Sequence, residues 1–134
     1  MPRLQPLSAR GIKVDMRVAV VGSRDVVDSS KIQHQIATVL RSYPVVPELV
    51  SGGARGVDRL AEMAARSLHV PMLIFKADWL AHGKRAGFLR NQQIVDNCDE
   101  VHAWWDGKSK GTAHTIALAR KAGKPVTVHP IERG

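Results

Sequence analysis

The chain has 134 residues, 20 basic against 12 acidic side chains, a net charge of +8 and an apolar fraction of 44%. That length suits one domain with a real core, and the apolar content excludes disorder over most of it. Cys98 is the single cysteine, which excludes an intrachain disulfide and a thiolate metal cluster and fits a reducing compartment.

The histidines at 34, 69, 82, 102, 114 and 129 are scattered, and no pair stands at metal-ligand spacing beside a carboxylate, so no metal site is expected. No apolar run approaches membrane-spanning length, and the basic N-terminal stretch lacks the apolar segment of a secretory signal. The expected location is the cytoplasm, with no membrane partner. The charge balance favours anionic partners, nucleotides or nucleic acid, and equally describes a plain solvated basic surface.

Residues Met1 to Asp15 read as a tail, with Pro2, Pro6 and Gly11 and no clear period, and 16–134 as one domain. Arg17 to Val21 reads as a buried strand ending at Gly22-Ser23-Arg24. Ser29 or Ser30 is the expected cap of a helix with an apolar stripe at Ile32, Ile36, Val39 and Leu40. Pro44 and Pro47 close that connection. Glu48 to Ser51 is the second strand, and Val57, Leu60, Ala61, Ala64 and Leu68 mark the second helix. Val70 to Phe75 is the third strand, Lys76 to Arg85 a longer connection, and Ala86 to Val95 a helix. Glu100 to Trp105 is the fourth strand and Asp106 to Gly111 its loop. Thr112 to Ala122 is the last helix, ended by Gly123 and Pro125, and Pro125 to His129 is the fifth strand.

Strands alternating with helices predict an α/β fold: a Rossmann-like, doubly wound, five-stranded parallel sheet with helices on both faces. Ligands of such sheets bind beyond the carboxyl ends of the strands, where the strand order reverses. Three strand ends carry small or polar residues, and these should converge on one crevice.

Ser51-Gly52-Gly53-Ala54-Arg55-Gly56-Val57-Asp58 is the most informative of them. Strand, glycine turn and helix start together make an anion site, because glycines admit close backbone approach and the helix N-terminus favours negative charge. The spacing matches neither the dinucleotide fingerprint nor a Walker A loop. Three glycines beside Ser51 exceed what capping requires, although Asp58 would sit well at a helix start for the dipole alone. At Gly22-Ser23-Arg24, Ser23 can donate to a phosphate or ribose and Arg24 can meet an anion, or the segment is only a turn. Arg90 can grip a phosphate and Asn91 can read a base edge or ribose, unless they lie on a solvated helix face. Gly111-Thr112 opens a second glycine loop onto a helix. Trp79, Trp104 and Trp105 suit core or interface positions better than base stacking, and Asp78 and Asp106 are possible acids that more often make turns.

These motifs, taken in order from Gly22 through Ala77-Asp78-Trp79 and Ala86-Gly87 to Thr112, resemble the small YspA-like branch of the SLOG superfamily, over about Met16 to His129. The resemblance implies a Rossmann-like sheet whose glycine loops hold a nucleotide or nucleotide derivative. The superfamily includes the LOG-type phosphoribohydrolases and the DNA-processing protein of natural transformation, which has a similar Ser-Gly-x-Ala-Arg-Gly-x-Asp stretch. Its members have been proposed as nucleotide sensors in phage conflict systems, which suits a small phage or bacterial protein. LOG-type hydrolases carry a catalytic glutamate soon after Gly-Thr. Here Thr112 is followed by Ala113, His114 and Thr115, so the hydrolase activity is withheld.

The expected function is therefore binding of a nucleoside phosphate or ADP-ribose-like ligand, with no cofactor required. The expected contacts are Gly22, Ser23, Arg24, Ser51, Gly52, Gly53, Ala54, Gly56, Asp58, Arg90, Asn91, Gly111 and Thr112. A nucleotide N-glycosidase and a DNA-binding module are the alternatives, and a homodimer is expected by analogy with relatives of this fold.

Overall fold

The structure, a computed structural model, describes residues 14–132. The elements run β1 (Arg17–Gly22), α1 (Ser29–Arg41), β2 (Glu48–Ser51), α2 (Val57–Ser67), β3 (Met72–Ile74), α3 (Trp79–His82), α4 (Ala86–Asp96), β4 (Glu100–Trp105), α5 (Lys110–Lys121) and β5 (Val126–Pro130), with a 3-10 turn at Gly83–Arg85 between α3 and α4. All neighbouring strands pair parallel in the order β3-β2-β1-β4-β5. This is the expected doubly wound sheet.

The period-two alternation of the strands divides the core into two halves. Val18 and Val20 of β1, Leu49 of β2 and Trp104 of β4 face α1 and α2. Ala19, Val21, Val50, Val101 and Ala103 face the opposite way, toward Ile94 and Val95 of α4 and Ile116 and Ala119 of α5. Continuous apolar strands are what burial on both faces requires. At the amino end of the sheet, Arg17 Nε donates to the fully buried Glu48 at 2.8 Å, and Asp99 Oδ2 accepts the Arg17 backbone N–H at 2.8 Å.

Several boundaries differ from the sequence expectation, each for a local reason. Val14 is only 2% exposed, so the packed domain already includes it; residues 1–13 of the expected tail lie outside the described residues. Asp28, not Ser29 or Ser30, caps α1, accepting from the Lys31 N–H at 3.2 Å. β3 starts at Met72 rather than Val70 because α2 ends in a Schellman turn. There the Val70 N–H reaches Ala65 O and the His69 N–H reaches Arg66 O, with His69 at φ +57°. No glycine marks that turn. α5 starts two residues early, at Lys110, because Asp106 Oδ1 gathers the Lys108 and Ser109 N–H groups, both at 2.8 Å, and folds the loop into the helix.

Two glycines fix how the β1 and β2 loops meet. Gly56 lies at φ +78°, and a Cβ there would overlap the carbonyl oxygens of Ser23 and Arg24. A Cβ on Gly22 would fall 2.7 Å from Val57 Cβ and would also overlap Trp104 O. Gly56→Ala is therefore expected to cost roughly 3 kcal/mol or more, whereas Gly111→Ala, whose added carbon meets nothing within 4 Å, should change stability by no more than about 1 kcal/mol. Urea denaturation of the two variants checks the contrast.

Candidate functional site

The carboxyl ends of β1, β2 and β4 open onto a cleft of about 380 Å³. It lies between β1 and β4, where the chain leaves one half of the sheet for the other. Gly22 and Arg24 follow β1 into it, Ala54 and Asp58 come from the glycine turn, Arg90 and Asn91 from α4, and Gly111 and Thr112 from the start of α5. These predicted residues are brought together. Asp25, Arg55, Ser109, Lys110 and Thr115 also line the cleft and were missed by the sequence reading. Arg55 lies inside the Ser51–Asp58 motif and Ser109 and Lys110 inside the Asp106–Gly111 loop, whereas no motif marks Asp25 or Thr115.

The remaining predicted contacts, Ser23, Ser51, Gly52, Gly53 and Gly56, do not line this cleft. Ser23 is 1% exposed and is used up in the scaffold. Its hydroxyl receives the Asp106 N–H at 3.3 Å and the Ser109 hydroxyl at 3.1 Å, and its carbonyl accepts the Val57 N–H at 3.1 Å. That last bond takes the first N–H group of α2, and Gly56 permits the same close approach. Ser51 is fully buried, donating to Glu62 Oε2 at 2.7 Å and accepting the Gly53 N–H at 3.3 Å. The Ala54 N–H is held by Asp58 Oδ2 at 3.2 Å. The glycine turn thus satisfies much of its own backbone, and Gly52 and Gly53 line a neighbouring basin instead of the cleft.

A chain of hydrogen bonds joins the walls. Arg90 Nη1 donates to Gly52 O at 2.6 Å and Arg90 Nε to Asn91 Oδ1 at 3.0 Å. Asn91 Nδ2 donates to Gly111 O at 3.3 Å and lies 3.1 Å from His114 Nδ1. Thr115 also donates to Gly111 O, at 3.2 Å. Arg90 and Asn91 are in the cleft, but part of their hydrogen-bonding capacity positions the loops. His114 is engaged by Asn91 and by Phe88, which meets its ring edge-on at 4.7 Å.

The first turn of α5 is different. Its N-cap, Ser109, makes no side-chain cap bond, and the Lys110, Gly111 and Thr112 N–H groups precede the first intrahelical donor, the Ala113 N–H, which reaches Ser109 O at 3.1 Å. Arg24 makes no hydrogen bond or ion pair among the described residues. The acidic groups of the cleft are Asp25, paired with Arg55 at 3.2 Å, and Asp58. Asp106 is committed to the Lys108 and Ser109 turn, and Asp78 caps α3 through the Ala81 N–H at 3.0 Å.

Asp58 is 6% exposed. Burial raises its pKa from 3.8 to about 6, against the lowering effect of the Ala54 N–H and the Arg90 charge. Burial also lowers the pKa of Arg90, opposed by Asp58.

The tryptophans divide. Trp104 is fully buried, stacked on His129 at 4.0 Å and bonded through Nε1 to Gln35 at 3.0 Å. Trp105 Nε1 holds Ser109 O at 3.0 Å, while Trp79 is 53% exposed. His102 and His129 meet at 2.9 Å, a pairing across β4 and β5 that no sequence spacing shows. Among the described residues no three potential metal ligands come together, and no helix is long and apolar enough to cross a membrane.

Residues 16–82 match the YspA, cpYpsA-related SLOG family. The Gene 61 protein of Mycobacterium phage D29 is 38% identical over 116 residues, covering 82% of this chain and 93% of that protein. The chain belongs to the YspA-related SLOG family. The fold of this SLOG protein is shared with DNA processing protein A from Helicobacter pylori, at TM-score 0.66 and 22% identity, and from Streptococcus pneumoniae, at TM-score 0.70 and 23% identity. The Helicobacter structure is described by its single-stranded DNA binding mode. The SLOG chain is covered to 87% and 86% in these matches but spans only 66% and 50% of the two larger chains.

The displaced titration of Asp58 has a stability consequence with a definite sign. A carboxyl whose folded pKa is raised contributes stability fully present below 3.8 and lost as the pH rises through about 6. Wild type should lose on the order of 2–3 kcal/mol from this group over that window. Asp58→Asn should lack that component, as the difference between the two proteins' urea-denaturation free energies at each pH will show.

Proposed function

We infer that the cleft binds a nucleotide or nucleotide-derived ligand, with its phosphate on the first turn of α5. The observation that carries this reading is the contrast between two helix ends at one crevice. At the N-terminus of α2 the first N–H group, that of Val57, ends on Ser23 O, and the chain crosses too closely there for a side chain on Gly56. The N-terminus of α5 has no side-chain cap and opens into the cleft with Gly111 and Thr112. Free N–H groups and the helix dipole favour an anion there. Arg24 supplies a cation on the same cleft, and ionised Asp58 accepts from a ribose hydroxyl. Membership of the SLOG family supports the same reading.

Isothermal titration with AMP tests it. Binding is expected, and Arg24→Ala should weaken it about tenfold through loss of a charge-assisted contact. Sulfate, which does not titrate in this range, should bind more weakly as the pH rises through about 6 and Asp58 ionises; in Asp58→Asn its affinity should be flat. Wild-type protein that takes up neither AMP nor sulfate refutes the phosphate site.

Single-stranded DNA is the second reading, favoured by the net charge of +8 and by the DNA processing protein fold. It uses the same cations. A strand bound this way should lose affinity steeply between low and moderate salt as counterions are released. Fluorescence anisotropy of a labelled oligonucleotide across a salt series reads that slope, and a flat profile rejects DNA.

A further inference from the structure

Across the wall formed by Arg24, Ala54, Arg55 and Arg90 lies a second basin of about 480 Å³, which shares those residues with the cleft. Its own surface is Gly52, Gly53, Lys76, Ala77 and Trp79. No described residue lining it is acidic.

Its parts are placed by the glycine turn and by α3. Gly53 sits at φ +67°, and a Cβ there would lie 3.0 Å from Lys76 Cγ and 3.6 Å from Lys76 Cε. The bare face of Gly53 therefore lets the lysine stem lie across the turn. Lys76 makes no ion pair among the described residues. Trp79, 53% exposed, approaches Gly87, where a Cβ would be 3.5 Å from its ring. Asp78 holds this short helix by its cap. An indole with half its surface open, on a basin whose described lining is basic and holds no acidic residue, matches a base attached to a phosphate.

We propose that the site takes a dinucleotide, two nucleosides joined through phosphate, with the second base stacked on Trp79. This rests on the reading of the cleft as a nucleotide site. The linking phosphate lies over the shared wall, between Arg24 and Arg90, and Lys76 faces the second nucleotide. Pyrophosphate and phosphodiester linkages present the same chemistry to that wall.

Calorimetric titration of the intact chain with AMP, with pyrophosphate-linked diadenosine diphosphate and with the phosphodiester pApA tests the proposal. At least one dinucleotide should bind about tenfold more tightly than AMP, in line with one added stacking contact, and the tighter of the two identifies the linkage. Trp79→Ala should remove that gain while leaving AMP affinity within about twofold, and Trp79→Phe should retain most of it. Dinucleotides no tighter than AMP, or a gain that survives Trp79→Ala, overturn the second subsite and leave the cleft standing. Failure of all three ligands to bind overturns both.

Discussion

The site depends on one close crossing of backbone. The loop after β1 and the turn before α2 pass so near each other that neither Gly22 nor Gly56 has room for a side chain, and the Val57 N–H ends on Ser23 O. Ser23 then carries the same clamp onward to Asp106 and Ser109, at the start of α5. Three strand ends are thereby tied to one another before any ligand is considered. The Arg90 and Asn91 chain repeats the tie from the other side, through Gly52 O and Gly111 O.

This arrangement separates two uses of glycine that look alike in a sequence. Gly22 and Gly56 exist for packing, where a Cβ would overlap backbone. Gly111 has open space around it and leaves the helix end accessible. Gly52 lies between Arg90 Nη1 and Asp58 Oδ2, at 2.7 and 2.9 Å from where its Cβ would be, so it keeps a cation and a carboxyl close together across a bare backbone. Burial at this spot raises the pKa of Asp58, and the nearby Arg90 charge offsets only part of that rise.

Much of the architecture was legible because its signals are local. Apolar runs such as Arg17 to Val21, the stripe of α1 and the stop at Gly123 all act within a few residues, and the parallel order follows from strand-helix alternation. The crevice was also legible, since topology places the loops after β1, β2 and β4 together. What could not be read was which polar groups would be consumed there. Ser23 and Ser51 have the residue type of ligand contacts, but their partners, Asp106, Ser109 and Glu62, lie up to 86 positions away. Spacing along the chain carries no record of such bonds. The same holds for the His69 turn, where helix packing imposed a backbone conformation that a glycine would have announced.

The self-satisfied glycine turn has a further consequence. With the Gly53 and Ala54 N–H groups already bonded to Ser51 and Asp58, the loop does not wait for a ligand to order it. A molecule entering the cleft meets a receptor whose conformational entropy was lost during folding, so little of its contact energy goes into ordering the protein.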